Sequence, residues 1–508
     1  MSRPRRRRAP TTAPGGGARA PDYRHLRNPF MPQTAFSDDR AAALHEAALR
    51  VLEELGIKVL LLEAAAILAR GGARVAGDDL VFIGRDLVEA ALASAPKRIH
   101  VKGGAPHRDQ VLELGTLSFM SGAGTPHATD LLRGRRPASL QDYRELTQLS
   151  QAFDVLHYLN PLVEPQDTPV HTRHYDVTRA QMTLSDKIPF IFARGTPQAQ
   201  DCFEIIRLAR GVDHAAFAAA PYCYTIINTN SPRQLDRPMA QGLIDFARAG
   251  QLSIVTPFCL MGAMAPVSVA GALVLSHAEA LAAIVLTQMT RAGAPVMYGA
   301  FASNVDMKSG APAFGTPEQV QANLGAGQLA RLTGLPWRSA AGCAANVNDA
   351  QAAHETQMSA WSAVLAGASV VVHGAGWLEG GLTLSYEKMI TDIEMLQIFA
   401  ELCRPVGAEE ADLAFDALSE VQPGGHFFAA AHTMDRYKAA FYEPLIADWS
   451  NFGTWSERGA LDANTRATAL WQSRLETAQA PDLPLDRRAA IDAFIAQRIA
   501  AGGAPPVS

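Results

Sequence analysis

The chain has 508 residues, of which 48 % are hydrophobic and 19 % charged, with a formal net charge of −5. So even a balance argues against nucleic acid as the main partner, because a phosphate-binding surface needs an excess of Lys and Arg. The five cysteines, Cys202, Cys223, Cys259, Cys343 and Cys403, stand far apart with no CxxC pair; neither a disulfide framework nor a structural zinc knuckle is indicated, and a reducing cytoplasm fits.

In chain order, residues 1–24 read as a disordered basic tail: the arginines between 3 and 8 have no apolar run behind them that would make a secretory signal. Residues 25–112 read as an N-terminal α+β segment. Leu and Ala recur at helical spacing over 39–55, with Asp38 or Asp39 as cap and Gly56 as stop. Helical runs at 61–70 and 86–93 flank extended pieces around Val75, 80–83 and 99–102. From residue 117 a strand followed by a helix recurs eight times. Strands are expected at 117–120, 155–160, 189–193, 222–228, 253–258, 295–301, 336–341 and 369–373. Their helices are expected near 140–152, 172–182, 197–210, 234–249, 270–292, 317–333, 349–366 and 387–403. Eight units over ~290 residues match a (β/α)8 TIM barrel, here 113–404, better than an open doubly wound sheet. No GxGxxG or GxxxxGK[ST] follows a strand, which removes support for dinucleotide and P-loop readings.

The most apolar long run, 267–286, is interrupted by Ser276, His277 and Glu279, which are costly in a bilayer, so it reads as a buried helix and not a membrane span. Residues 405–508 read as a C-terminal helical extension. Its aromatic-rich piece, 432–455, carries Tyr437, Phe441, Tyr442, Trp449, Phe452 and Trp455. That extension is expected to pack across the barrel or against a second subunit, with a wall over the barrel mouth as the alternative. The last helix, 487–499, leads into a Gly/Pro tail expected to be mobile.

In a parallel barrel the pocket forms where the strands end. Those ends gather aromatics and amides with few carboxylates, most densely across 335–381. Ring faces attract a cation that has no hydrogen to donate, and an arginine on the same rim can hold a carboxylate at the ligand's other end. The candidate binding residues are Tyr298, Phe301, Arg338, Asn346, His373 and Trp377, and the candidates for catalytic positions are His354 and Glu355. Tyr298, Phe301 and Trp377 are expected to cage the cation, and His354 with Arg338 to orient the carboxylate. Each has a plainer alternative: the rings as barrel packing, His373 as a satisfied core histidine, Glu355 as a charge at a helix start. No metal-ligand spacing is evident.

Several motifs stand in one order: GAPAFGTPE at 310–318, GQLAR at 327–331 followed by GLP at 334–336, CAANV at 343–347, and GAGWLEGGL at 374–382. Together they resemble the trimethylamine methyltransferase family of corrinoid-dependent enzymes. The resemblance runs from about 24 to 499 and is densest between 295 and 396. The family's founding members contain pyrrolysine, whereas this chain uses only the twenty ordinary residues, so it resembles the non-pyrrolysine branch, whose type acts on glycine betaine. The resemblance implies a (β/α)8 barrel that moves a methyl group from a quaternary amine, first of all glycine betaine, to cob(I)alamin on a separate corrinoid carrier protein, releasing dimethylglycine. It implies no tightly bound cofactor, and a homo-oligomer is expected. Carnitine, γ-butyrobetaine, proline betaine, a sulfonium analogue and trimethylamine remain alternative substrates. A barrel that binds betaine without turning it over is the alternative of a different class.

Overall fold

A computed structural model describes residues 22–506, so the arginine run between 3 and 8 lies outside the described residues. Six parallel strands hold the centre: Thr116–Phe119, Tyr224–Ile227, Leu252–Val255, Val296–Gly299, Trp337–Ala340 and Val370–Val372. They hydrogen-bond in chain order, and the last pairs back onto the first through Val370↔Ser118. The second and third barrel positions are short extended segments joined by the parallel bridges Phe119↔Leu156, Tyr158↔Ile188 and Phe190↔Tyr224. These complete the ring, an eight-position α/β barrel as the strand–helix count requires.

Alternation along each strand sorts side chains between two environments. Tyr158, Phe190, Tyr224, Ile254, Met297, Val370 and Val372 cluster inside the barrel. Phe119, Val255, Tyr298, Trp337 and Val371 belong to the layer between strands and helices. The eight outer helices are Leu140–Ala152, Arg173–Leu184, Thr196–Arg210, Arg237–Ala249, Val269–Thr290, Pro317–Thr333, Ala350–Leu365 and Tyr386–Leu402.

Val269–Thr290 is long and apolar enough to cross a bilayer by composition, yet 78 % of its apolar window is buried inside the protein. Its His277 and Glu279 are used internally. His277 lies between His45 of the N-terminal segment, 2.8 Å away, and the Tyr298 hydroxyl at 3.0 Å. Glu279 accepts from Thr229 Oγ1 at 2.5 Å, Ser231 Oγ at 2.7 Å and the Arg233 N–H at 2.7 Å, fixing the loop after the fourth strand.

The N-terminal segment helps set which end of the barrel is open. Its hairpin, Ile99–Val101 with Gln110–Leu112, sends Ile99, Val101 and Leu112 into the inner cluster and closes the amino-terminal end. At the other end two small sheets rise from the loops. Phe258–Met261, Phe301–Val305 and Pro312–Ala313 form one; Trp377–Leu378, Thr383–Ser385, His127–Thr129 and Arg136–Pro137 form the other.

The C-terminal extension grips the barrel through two helices. On Ala463–Glu476, Thr468 Oγ1 and Trp471 Nε1 donate to the buried Glu387 at 2.8 and 2.9 Å. On Leu485–Ala500, Arg498 Nε lies 2.9 Å from Asp201, and Ile491 and Ile495 pack beside Ile205 and Ile206. The tail expected to be mobile is tied down through Ala504. Its N–H donates to the His171 carbonyl at 3.0 Å and its carbonyl accepts from Gln198 Nε2 at 2.7 Å, so two backbone bonds outweigh the Gly/Pro composition.

Candidate active site

Between the two small sheets, over the open end of the barrel, lies a cavity of ≈ 650 Å³. Phe190 and Phe192 from the third position, Phe258 from the fifth, Phe301 from the sixth, Arg338 from the seventh, and His373 and Trp377 from the eighth line it. The lining contains no aspartate, glutamate or lysine.

Four of the residues singled out in the sequence come together here. The Phe301 centroid is 5.4 Å from that of His373 and 6.0 Å from that of Trp377, and the His373 and Trp377 rings stack at 4.2 Å and 15°. The Arg338 guanidinium carbon lies 5.2 Å from the Phe301 centroid. Phe258 and Phe314 extend the aromatic wall at 4.8 and 5.7 Å from Phe301.

Register places Arg338 in the interior, because it pairs with Gly299 on one side and with the inward-facing Val370 on the other. The absent side chain at Gly299 is itself required, since a Cβ there would fall 2.4 Å from the Val255 carbonyl oxygen. Only 2 % of Arg338 is exposed. Burial pulls its pKa down to about 9, which still leaves the guanidinium charged at neutral pH. Nη2 lies 3.2 Å from His373 Nε2, while Nε and Nη1 have no hydrogen-bond partner.

His373 is pushed well below the ordinary histidine range, first by burial and then by the Arg338 charge. A guanidinium only donates, so Nε2 of the neutral ring accepts and the tautomer with its proton on Nδ1 follows from that bond. That Nδ1 also lacks a partner, as does Trp377 Nε1. Arg338 Nε and Nη1, His373 Nδ1 and Trp377 Nε1 thus form a cluster of unsatisfied donors. A buried donor left unpaired costs ~1 to 3 kcal/mol, and more when charged, so such a cluster calls for an acceptor.

The cluster is held rigidly. His373 takes φ +61°, a left-handed conformation uncommon outside glycine, at the turn from strand to loop. Three residues on, the Gly376 N–H donates to Asp392 Oδ2 at 2.8 Å, and Asp392 Oδ1 pairs with the buried Lys388 at 2.9 Å. The Glu379 and Gly380 N–H groups donate to the carbonyls of Ala345 and Cys343 at 3.0 and 2.9 Å, lacing together the loops after the seventh and eighth strands.

The other candidates lie elsewhere. Tyr298 points outward from its strand and is hydrogen-bonded to His277, so it packs the strand–helix layer and lines no cage. Asn346 is exposed on the loop after the seventh strand. His354 is exposed on Ala350–Leu365, whose inner face is formed by Ala352, Thr356, Ser359 and Ala363. It therefore does not reach the carboxylate site proposed for it. Glu355 accepts from the Ala344 and Ala345 N–H groups at 2.7 and 3.0 Å, securing the loop and facing no substrate. Both catalytic candidates thus sit outside the cavity because their helix turns them away from it.

Sequence reasoning missed Phe190, Phe192 and Phe314. The alternation in PFIFAR, 189–194, was a usable signal, since it puts Phe190 and Phe192 on one face of one strand. Arg194 also lines the cavity, but its charge is taken up by Glu164 at 2.9 Å, which Arg173 shares. Among the described residues, no group of three or more His, Cys, Asp and Glu is arranged to hold a metal ion.

A family model described as trimethylamine methyltransferase (MTTB) matches residues 2–503. The chain is 34 % identical over 464 residues to the glycine betaine methyltransferase of Desulfitobacterium hafniense (strain Y51), covering 91 % of this chain and 96 % of that one. It is 31 % identical over 454 residues to trimethylamine methyltransferase MttB of Desulfitobacterium hafniense (strain DSM 10664 / DCB-2), covering 88 % and 90 %. Among solved structures, the monomethylamine methyltransferase of Methanosarcina barkeri aligns over 88 % of each chain with a TM-score of 0.50 at 9 % identity, a likeness of fold.

Proposed function

This chain belongs to the trimethylamine methyltransferase family and is a methyltransferase; from that premise we propose that it moves a methyl group from glycine betaine to Co(I) of a corrinoid on a separate carrier protein, releasing dimethylglycine. The observation that carries the choice of substrate is the buried, carboxylate-free Arg338 with two unpaired N–H groups at the floor of an aromatic cavity. A carboxylate is the group such donors accept, and trimethylamine has none to offer.

The opposite end of the ligand suits the walls. A trimethylammonium group donates no hydrogen bond, and the faces of Phe258, Phe301 and Trp377 attract it by ~1 to 2 kcal/mol per desolvated ring. The quaternary nitrogen is already cationic and leaves as a neutral tertiary amine, so no acid is needed to make it depart. That agrees with a lining whose one histidine is held neutral. Co(I) supplies the nucleophile; the methyl carbon bonds to it as the C–N bond breaks, and that bonding pair stays on nitrogen. With the amino-terminal end closed by the hairpin, the corrinoid must approach from the open face above Phe258 and Trp377. The five cysteines are all free, in keeping with a reducing cytoplasm where Co(I) persists.

The test is to incubate the purified protein with cob(I)alamin and follow methylcobalamin absorbance together with dimethylglycine. Parallel arms contain trimethylamine, carnitine, γ-butyrobetaine and proline betaine. Consumption of glycine betaine ahead of the others is the expected result. Consumption of trimethylamine with glycine betaine untouched would overturn the assignment.

A further inference from the structure

The eighth barrel helix, Tyr386–Leu402, carries two buried charges one turn apart, Lys388 at 0 % and Asp392 at 4 % exposure. Lys388 Nζ donates to Asp392 Oδ1 at 2.9 Å and to Thr356 Oγ1 at 2.8 Å, with the Ala352 carbonyl oxygen at 3.4 Å. Ala352 and Thr356 lie on the inner face of the seventh barrel helix, so the ammonium spans the two helices. Asp392 Oδ2 reaches the other way and accepts from the Gly376 N–H at 2.8 Å. Neither charged side chain lines the active-site cavity.

We propose that Lys388 and Asp392 are positioning residues for the methyl transfer. Lys388 fixes the carboxylate against the seventh helix, and the carboxylate fixes the turn that sets the Trp377 indole beside His373. The inference rests on the reading of that cavity as the substrate site.

Stability alone gives the pair no reason to exist. Two charges taken out of water lose much of what their attraction returns, and apolar residues of similar volume in their place are often as stable or more so. The turn, in contrast, needs an outside anchor. Its Gly-Ala-Gly run, 374–376, offers no side chain beyond a methyl to define its path, and Gly376 takes φ +86°. Backbone holds both ends: the His373 and Gly374 N–H groups donate to the Ser121 and Met120 carbonyls at 3.2 and 2.9 Å, and Trp377 pairs with Leu384. At the corner between them the acceptor is a carboxylate, which makes that hydrogen bond stronger than a neutral one. The corner immediately precedes the indole, so slack there passes directly to a ring that has to present one methyl in line with Co(I).

The experiment compares two double variants of the full chain, Lys388→Met with Asp392→Asn and Lys388→Met with Asp392→Leu. Both remove the two charges; the first retains an acceptor for the Gly376 N–H and the second does not. Each is read by calorimetry with glycine betaine and tetramethylammonium, by hydrogen exchange of the peptides covering 374–382, and by urea unfolding. The Asp392→Asn double variant is expected to bind both ligands within about twofold of the parent. The Asp392→Leu double variant is expected to lose about tenfold for each, as for one displaced ring, with faster exchange confined to 374–382 and a urea midpoint no lower than the parent's. Binding and exchange that match the parent in the Asp392→Leu double variant overturn the proposal, as does exchange that rises throughout the barrel, the mark of a merely structural pair. If that variant does not fold, Thr356→Val decides, because it removes a partner of Lys388 and leaves both charges in place. Faster exchange at 374–382 with weaker binding is then expected, and no change in either overturns the proposal. A parent that binds neither ligand refutes the substrate reading, and exchange at 374–382 still tests the anchor.

Discussion

Arg338→Met separates a ligand-binding arginine from a structural one, because the two predict opposite signs in two assays. Burial lowers the folded-state pKa of Arg338 from the ordinary arginine range to about 9. Below that pH the folded protein carries a charge that it disfavours relative to the unfolded chain; the cost is fully present at neutral pH and is relieved only as pH rises through the folded pKa. At ~1.4 kcal/mol per pKa unit the penalty is on the order of 3 to 5 kcal/mol. The smaller side chain returns about 1 to 2 kcal/mol of it as a cavity. Urea unfolding at pH 7 should therefore show the variant more stable by about 1 to 4 kcal/mol. Binding moves the other way. Two charge-assisted hydrogen bonds to the ligand carboxylate, ~1.5 to 3 kcal/mol each, are lost. Glycine betaine should bind roughly 10² to 10⁴ times more weakly by calorimetry. Tetramethylammonium, which has no carboxylate, should bind at least as well once the nearby positive charge is gone. A variant that is less stable than the parent yet binds betaine normally would show that Arg338 serves the fold alone.

Trp377→Ala should weaken glycine betaine and tetramethylammonium alike by about tenfold, the value of ~1 to 2 kcal/mol for one desolvated ring; unchanged affinities would return the indole to packing. His354→Ala should alter neither ligand's affinity, because the side chain is exposed on the far face of its helix, and a selective loss for betaine would contradict that placement. With His373 held well below the ordinary histidine range by burial and the Arg338 charge, it is neutral from pH ~6.5 upward, so betaine affinity should vary less than about twofold between pH ~6.5 and ~8. Binding that strengthens as pH falls through ~6.5 would mean that the imidazolium is the form that binds. Gly381→Ala should mimic Trp377→Ala: φ there is +104°, and a Cβ would sit 2.5 Å from Trp377 Cζ2. The indole must move, with a stability loss of about 1 to 2 kcal/mol from the left-handed backbone alone.

The barrel was legible because strand and helix alternate with few interruptions, and every expected strand coincides with a barrel position of the ring. The site was only half legible, and the reason is parity. Strand ends announce the pocket, but whether a residue faces the axis or the helices depends on its register. Tyr298 and Gly299 are neighbours, yet Tyr298 points to His277 and Gly299 to the interior beside Arg338. His354 fails by the helical version of the same rule, two residues from the buried Ala352 and so on the opposite face. Unpaired donors cannot be read from a sequence at all, since they are a property of what surrounds Arg338, His373 and Trp377 in space.

The two ends of glycine betaine should do different kinetic work. Its carboxylate carries the same charge before, during and after methyl transfer, whereas its nitrogen passes from cationic to neutral. A guanidinium that holds the carboxylate therefore binds ground state and transition state alike, and its loss raises KM with kcat unchanged. The rings of Phe258, Phe301 and Trp377 attract a charge that fades as the C–N bond breaks. They hold the substrate more tightly than the transition state, so removing one raises KM and leaves kcat equal or higher. The same fading charge loosens the neutral amine in its cage and favours product release. Steady-state assays at a fixed, saturating corrinoid concentration can compare Arg338→Gln with Phe258→Leu. A kcat that falls in Arg338→Gln as far as kcat/KM does would mean that the guanidinium acts on the reacting atoms and is no passive anchor. A kcat that collapses in Phe258→Leu would mean that the ring sets the methyl's line of approach, an orienting role larger than its attraction for the cation.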